Sequence, residues 1–388
     1  MDFNSSDTQR QFQDAVSRFA NHHLAEGALK RAHDDGFPLD VAKLLSDQGL
    51  MGITVGEDDG GQGGTLMDAV IAIETIAGVC PRSADVIQAG NFGAIRVLAE
   101  FGTDAQKKQH LSRLLAGEAV ISIGMSEPDA GSALTELKTT ATLDGDGFRI
   151  NGTKVFSSHS VQADLILAYV RFGEGVEGIG SVLIEQGMDG FSLGKPVRYM
   201  GGDEWAQIYL ENVFVPAGNV VLGAGGFKRQ IAGFNVERIG NAARSLALGQ
   251  LAFDIARDYA LERQQFGRPI CEFQGLQWKF SDMKVDLDAA RLLLYRAAAS
   301  ADAGFPSAEQ TAIAKLACNR AGFNAANEAM QVLGATGYSQ ESLVEYCFRR
   351  TRGWMIAGGS LEMMRNRIAE SIFDRRFSQR PEKTGMPG

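Results

Sequence analysis

"TTATLDGDGFRINGTKVF", residues 139–156, decides how the chain is divided. Two runs rich in Thr, Val, Ile and Phe flank the Gly/Asp turn "DGDG", the composition of a β-hairpin. The sequence before it reads differently. Residues 1 to about 120 carry helical spacing. Ser6 with Gln9 predicts a capping box. Phe12, Ala15, Val16, Phe19 and Ala20 then recur on one helical face. "LMDAVIAIETIA", residues 66–77, is apolar nearly all round, as a buried helix is.

Beyond the hairpin, "LILAYV", "SVLIE" and "IYLENVFVP" are short β-type runs separated by glycines. With no helix between them they predict an antiparallel barrel or sandwich. After "GAGG" at 223–226 the helical signal returns. No proline interrupts residues 227–265, and Ile239, Ala243, Leu246 and 249–252 fit one stripe. "FQGLQWKFSDMKVDLDAARLLLYRAAASADA", "SAEQTAIAKLACNRAGFNAANEAMQVLG" and "SLEMMRNRIAESIFDRRF" add three more helices, and such alanine-rich lengths suit a bundle.

The expected architecture is therefore α+β and multi-domain. Residues 1–120 form an N-terminal helical domain, 121–226 a middle antiparallel β-barrel or sandwich, 227–378 a C-terminal four-helix bundle, and 379–388 a loose, proline-bearing tail. The strand–helix alternation of a dinucleotide-binding fold is missing. "GVEGIG", residues 175–180, lies among strands and reads as a turn.

The chain has 388 residues, 45% of them hydrophobic, enough for two or three cores. A net charge of −9 argues against a general nucleic-acid binder. Cys80, Cys271, Cys318 and Cys347 are scattered and form no CxxC, so reduced thiols are expected, not disulfides. Only His22 and His23 of the five histidines are adjacent, so no metal site is expected. The start "MDFNSSDTQR" is polar, unlike a signal peptide, and no apolar run reaches membrane-spanning length. A cytoplasmic location is the expectation.

Five segments, in order, resemble the acyl-CoA dehydrogenase family: "MSEPDAGSALTELKTTA" (125–141), "INGTKVFSSHS" (150–160), "ERQQFGRPICEFQGLQWKFSDM" (262–283), "AMQVLGATGYS" (329–339) and "GGSLEMMRN" (358–366). The resemblance covers the chain to about residue 376. It implies the same three domains, bound FAD, an acyl-CoA substrate, a homotetramer built as a dimer of dimers, and an electron-transfer flavoprotein as acceptor.

The resemblance also assigns positions. Phe156 stands where a tryptophan usually lies beside the flavin ring, and Ser158 where a threonine meets its N5. Met125 and Ser126 fall at the other ring edge, and Ser132 on the CoA side. Ala133 replaces the usual Asp there. Arg263, Phe266, Gln274, Gln331 and Ala335 fall at positions for the adenine and pyrophosphate half, often a neighbouring subunit's. Ala335 replaces a usual glycine beside Gly334 and Gly337. Ser360 and Glu362 match further flavin contacts and Gly359 a substrate contact.

In the family a carboxylate takes the α-proton of the thioester while the β-hydrogen leaves as hydride to the flavin. Its glutamate sits in a segment resembling "YEGTxEI", and that glutamate falls here on Gly358. Glycine keeps the backbone N–H that would stabilise the enolate. The side chain is gone, and with it a general base worth on the order of 10²–10⁴-fold. Isovaleryl-CoA and long-chain acyl-CoA dehydrogenases resemble the rest but carry the glutamate on the helix after the β-domain. Glu237 holds that position, directly before Arg238, another site match. The competing reading makes Glu237 a first-turn helix carboxylate with Arg238 as its surface neighbour.

Arg82, in "GVCPRSADVIQAG", matches an arginine that pairs with the far acid group of the substrate in glutaryl-CoA dehydrogenase and in sulfinopropionyl-CoA desulfinases. The competing reading is an exposed loop arginine after Pro81. Three functions stay open: a dehydrogenase with Glu237 as base, acting on a branched or acid-ended acyl-CoA; a flavin-bearing desulfinase-type lyase; and a non-catalytic flavoprotein subunit.

Overall fold

The computed structural model describes residues 6–301 and 304–377. The tail 379–388 lies outside them. Helix α1 (Asp7–His23) opens with the Ser6/Gln9 capping box. Two short helices, Ala28–His33 and Leu39–Ser46, lead to α2 (Leu66–Ala77), capped by Thr65 and Asp68. Helices α3 (Ala84–Asn91) and α4 (Gly93–Phe101) follow. The all-round apolar reading of α2 holds, since Val70, Ile73, Ile76 and Ala77 are wholly buried.

The middle region has strands β1 (Ile121–Gly124), β2 (Thr140–Asp144), β3 (Gly147–Lys154), β4 (Leu165–Arg171), β5 (Ile179–Glu185), β6 (Phe191–Leu193), β7 (Ile208–Pro216) and β8 (Val220–Leu222). The opening hairpin forms as read, with Thr140 opposite Asn151 and Asp144 opposite Gly147. The barrel or sandwich expectation needs correction. The sheet is open, in the order β8-β5-β4-β2-β3-β7-β6, and it is mixed. Strand β1 runs parallel to β4, with Ile121 opposite Leu165, and a parallel bridge joins Thr140 to Arg171. Alternation along a strand reports which face is buried. It carries no information on the direction or closure of pairing, which the connections decide.

The C-terminal region has α5 (Phe227–Glu262), α6 (Gln274–Ala299), α7 (Ala308–Leu333), α8 (Leu343–Trp354) and α9 (Leu361–Ile372). Helix α8 is additional to the four read from sequence. Its buried face mixes Val344, Tyr346 and Cys347 with Glu345, Arg350 and Thr351, which hides the apolar period. Helices α5 and α7 cross closely at Gly249 and Gly322, where a Cβ on Gly249 would lie 2.5 Å from the Gly322 Cα.

One core runs through the N-terminal helices and the bundle, joining Ile73 and Ile76 to Leu246 and Leu248. A second lies between α4 and the sheet, and a third within the sheet. Buried charge ties the same regions. Asp203, in the loop of a small hairpin between β6 and β7, accepts from Arg82 ahead of α3 and Arg350 of α8. Asp85 of α3 accepts from Arg350 at 2.7 Å and Arg244 of α5 at 2.8 Å.

Candidate active site

Helix α5 is the spine of the site. It begins at Phe227, so Glu237 lies nearly three turns inside it, and the first-turn reading is corrected. Glu237, Asn241 and Arg244, spaced i, i+4, i+7, share one face. Gln88 Nε2 on α3 donates to Glu237 Oε2 at 2.6 Å, and Arg244 lies 3.9 Å from Oε1. The side chain is 20% exposed. Burial pushes its carboxyl above the usual carboxylate range, while Arg244, the Gln88 hydrogen bond and Lys315 pull the other way. Gly93 makes room, since a Cβ there would lie 2.8 Å from Glu237 Oε2.

The loop between α8 and α9 forms the facing wall. Gly358 and Gly359 have φ of 72° and 92°, a region that strains any residue with a Cβ. Arg238 Nε donates to the Gly358 carbonyl at 3.0 Å, and its guanidinium also reaches Asn235. Arg238 therefore braces this loop and is not a surface neighbour of Glu237. Among the described residues, no protein acceptor takes the Gly358 or Gly359 N–H. A Cβ built on Gly358 would meet Lys315 Cε at 3.5 Å and Asn241 Nδ2 at 3.7 Å. The structure thus joins Arg238 directly to this loop, and Asn241, one turn beyond Glu237 on the same helix, borders the space a Gly358 side chain would enter.

Arg82 is buried, so the exposed-loop reading is corrected. Its anionic partners are internal: Asp85 at 3.3 Å and Asp203. Burial opposes ionisation of Asp85, yet Arg350, Arg244 and Arg82 together hold its carboxyl well below the usual range. Beside this network, burial and then Arg82 push His159 down to about 3, so its ring is neutral. Arg82, Arg244 and Arg350 face two carboxylates, Asp85 and Asp203, and Glu237 would be the third.

The next group lies on the loops after β1 and β3. Val155 N–H donates to the Ser126 carbonyl at 2.9 Å, and Ser122 Oγ to the Ser158 carbonyl at 2.7 Å. These bonds place Met125 and Ser126 against Phe156 and Ser158. Phe156 is 60% exposed with φ of 59°, so it is no core strand residue. A bulky residue held left-handed with its ring exposed is uncommon. The ring packs on Trp205 at 4.7 Å, which stacks on Tyr199.

These elements match a known architecture from end to end. The chain matches the models named "Acyl-CoA dehydrogenase, N-terminal domain" over 6–118, "middle domain" over 122–213 and "C-terminal domain" over 224–373. This chain belongs to the acyl-CoA dehydrogenase family. It is 34% identical to the 3-sulfinopropanoyl-CoA desulfinase of Paraburkholderia xenovorans, over 97% of this chain and 99% of that protein. It is 33% identical to the short-chain-specific acyl-CoA dehydrogenase of Clostridium acetobutylicum, over 96% and 100%. Its structure matches butyryl-CoA dehydrogenase from Megasphaera elsdenii with a TM-score of 0.90 at 30% identity, over 96% and 100%.

Acyl-CoA dehydrogenases depend on FAD, and the residues present suit it. Phe156 offers an exposed aromatic face, with Ser158 two residues on and Ser126 on the adjoining loop. Arg263 caps the end of α5, Phe266 is 93% exposed with φ of 53°, and Gln274 opens α6. Gln331 and Ala335 flank the end of α7 at Gly334. Among the described residues, no hydrogen bond, ion pair or ring contact joins this second set to Phe156 or Ser158. Ser132 is exposed, and so is Glu362 in the first turn of α9, paired with Arg365 at 3.1 Å.

Sequence reading missed Gln88, Arg244, Lys315 and Trp205. The first three are polar residues within otherwise buried helix faces, and that mismatch was the available signal. The described residues contain no metal-ligand cluster, and no helix among them is long and apolar enough to cross a membrane. The four cysteines are free; Cys80, Cys318 and Cys347 are buried and Cys271 only partly.

Proposed function

We propose that this enzyme oxidises an acyl-CoA thioester between Cα and Cβ with Glu237 as the base. The supporting observation is the position of Glu237: a carboxylate of raised proton affinity, held by Gln88, on the helix whose next residue, Arg238, donates to the Gly358 carbonyl and whose next turn, at Asn241, borders the space left by the missing Gly358 side chain. The uncommitted N–H groups of Gly358 and Gly359 would donate to the thioester oxygen, stabilising the enolate as the α-proton moves to Glu237. Arg238 holds that loop through the Gly358 carbonyl. The chemistry FAD supplies when bound is two-electron oxidation. Met125, Ser126, Phe156 and Ser158 would seat its ring; Arg263, Phe266, Gln274, Gln331, Ala335, Ser360 and Glu362 would hold the remainder.

The test is Glu237→Gln in the purified flavoprotein. Turnover should fall by on the order of 10²–10⁴-fold with flavin content retained. Turnover within a few-fold of wild type would refute the reading.

A second reading is supported by the guanidinium surplus around Arg82, Arg244 and Arg350. With Glu237 protonated, one of the three positive charges is unmatched, which suits an acid-ended acyl group, and relatives include a 3-sulfinopropanoyl-CoA desulfinase. Anaerobic titration with isovaleryl-, glutaryl-, succinyl- and 3-sulfinopropionyl-CoA separates the two. Flavin bleaching with enoyl product favours dehydrogenation. Sulfite release without bleaching favours the lyase. A colourless protein would leave only a scaffold role.

The exposed adenine-side residues suit completion by a second subunit, so a homotetramer built as a dimer of dimers is proposed. The exposed stripe Trp278, Val285 and Leu292 on α6, spaced by sevens, suits such an interface. An electron-transfer flavoprotein is the proposed acceptor.

A further inference from the structure

Glu127 and Lys154 form an ion pair sealed inside the middle region. Lys154 Nζ donates to Glu127 Oε1 at 2.7 Å, and the two side chains are 0% (Lys154) and 6% (Glu127) exposed. Thr139 donates to the same oxygen twice, from its hydroxyl at 2.5 Å and its N–H at 3.0 Å. The Lys138 N–H donates to Oε2 at 2.5 Å. The carboxylate therefore also closes the loop that Glu127 begins and Lys138 ends, which carries Ser132. Gly152 permits the approach of β3, since a Cβ there would lie 2.3 Å from Thr139 Oγ1.

Glu127 directly follows Ser126, and Lys154 stands two residues before Phe156 and four before Ser158. Strand β1 pairs with β4, whereas β3 pairs with β2 and β7. The sheet ladder thus leaves the register between the loop after β1 and the loop after β3 to other contacts. Two of these are the Val155 N–H bond to the Ser126 carbonyl and the Ser122 hydroxyl bond to the Ser158 carbonyl. The ion pair is the third, and the one that is wholly out of water. Its net contribution to stability is small, because desolvation offsets the attraction and apolar side chains of like volume hold a fold as well or better. What it supplies is direction: four donors converge on one carboxylate, which fixes where that carboxylate sits.

We propose that Glu127 and Lys154 are positioning residues: together they set Met125 and Ser126 against Phe156 and Ser158 at the spacing an isoalloxazine ring requires. The inference rests on the reading of those four residues as the flavin seat. Glu127 and Lys154 are buried in the protein alone, so they act through the backbone of the two loops and do not themselves touch flavin. A binding constellation loosened by a fraction of an ångström loses affinity without losing its fold, and that separates this role from a merely structural one.

The experiment compares wild type with the double variant Glu127→Leu with Lys154→Met, which replaces the pair by apolar side chains of similar volume. FAD release on dilution and the absorption bands of bound flavin are read on the purified flavoproteins, and melting is read on the flavin-free chains. The double variant should melt near the wild-type temperature, hold FAD about tenfold more weakly and show displaced flavin bands. If it does not fold, Glu127→Asp carries the measurement, since it keeps the charge and shortens the reach by one methylene; the same flavin changes are expected. Wild-type flavin affinity and bands in a stable variant would overturn the proposal, and so would a loss of stability that accounts for the whole loss of flavin. Weakened flavin in the double variant with unchanged flavin in Phe156→Gly and Ser158→Ala would overturn the seat reading and leave the pair with an effect on flavin by another path.

Discussion

Gln88 Nε2 donates to Glu237 Oε2 at 2.6 Å, from a helix of the N-terminal region to a helix of the bundle. This bond favours the ionised carboxylate against the burial that disfavours it. A base with a raised pKa becomes active as pH rises, so the acid limb of kcat/KM should lie above the ordinary glutamate range. Gln88→Met removes the donor at similar volume. The limb should move up by a further unit or so, the scale of a hydrogen bond to a charged group. A pH-rate profile checks it, and an unmoved limb would argue that the bond is structural.

Gly240 leaves room for that amide, since a Cβ there would lie 1.8 Å from Gln88 Oε1. Gly240→Ala gains up to about 1 kcal/mol of helix propensity and displaces the amide. The expected result is a thermal midpoint near wild type with kcat/KM reduced about tenfold. Equal loss of stability and activity would point to packing alone.

Gly358 has φ of 72°, yet a Cβ would meet nothing closer than 3.5 Å. Gly358→Ala should therefore cost only the backbone strain, about 1–2 kcal/mol. Denaturant titration measures it. A much larger loss would mean that the loop cannot hold its conformation with any side chain present.

Phe156 carries the opposite trade. With φ of 59° its ring is held at the expense of backbone strain. Phe156→Gly should leave the flavin-free protein as stable or more so, by about 1 kcal/mol, while FAD affinity falls about tenfold. Parallel melting and flavin-binding curves would show the split, and a fall in flavin-free stability would contradict it.

Asp203 joins Arg82 and Arg350, so Asp203→Asn leaves two buried guanidinium groups short of charge. A loss of about 3–5 kcal/mol is expected by chemical denaturation. Asp85, in the same network, has its pKa held down on folding. Its contribution is present above the unfolded carboxylate range and is lost as pH falls through the folded value. Acid unfolding should therefore set in only at strongly acidic pH.

The sequence by itself determined the order helices, strands, helices, because composition and apolar patterning are local: an all-round apolar run in "LMDAVIAIETIA", and Thr-, Val-, Ile- and Phe-rich runs about the "DGDG" turn in the hairpin 139–156. It also located the missing side chain at Gly358 and its candidate replacement, since both sit in ordered motifs. Only the tertiary structure decided the rest. The parallel pairing of β1 with β4 depends on how distant segments meet, and α8 hid because its buried face includes Glu345, Arg350 and Thr351. Arg82 proved to be paired with Asp85 and Asp203, the latter 121 residues away. Gln88 meets Glu237 across a separation of 149 residues, which no periodicity records. A buried charge is defined by its neighbours in space, and the chain brings those neighbours together only when three regions fold on one another.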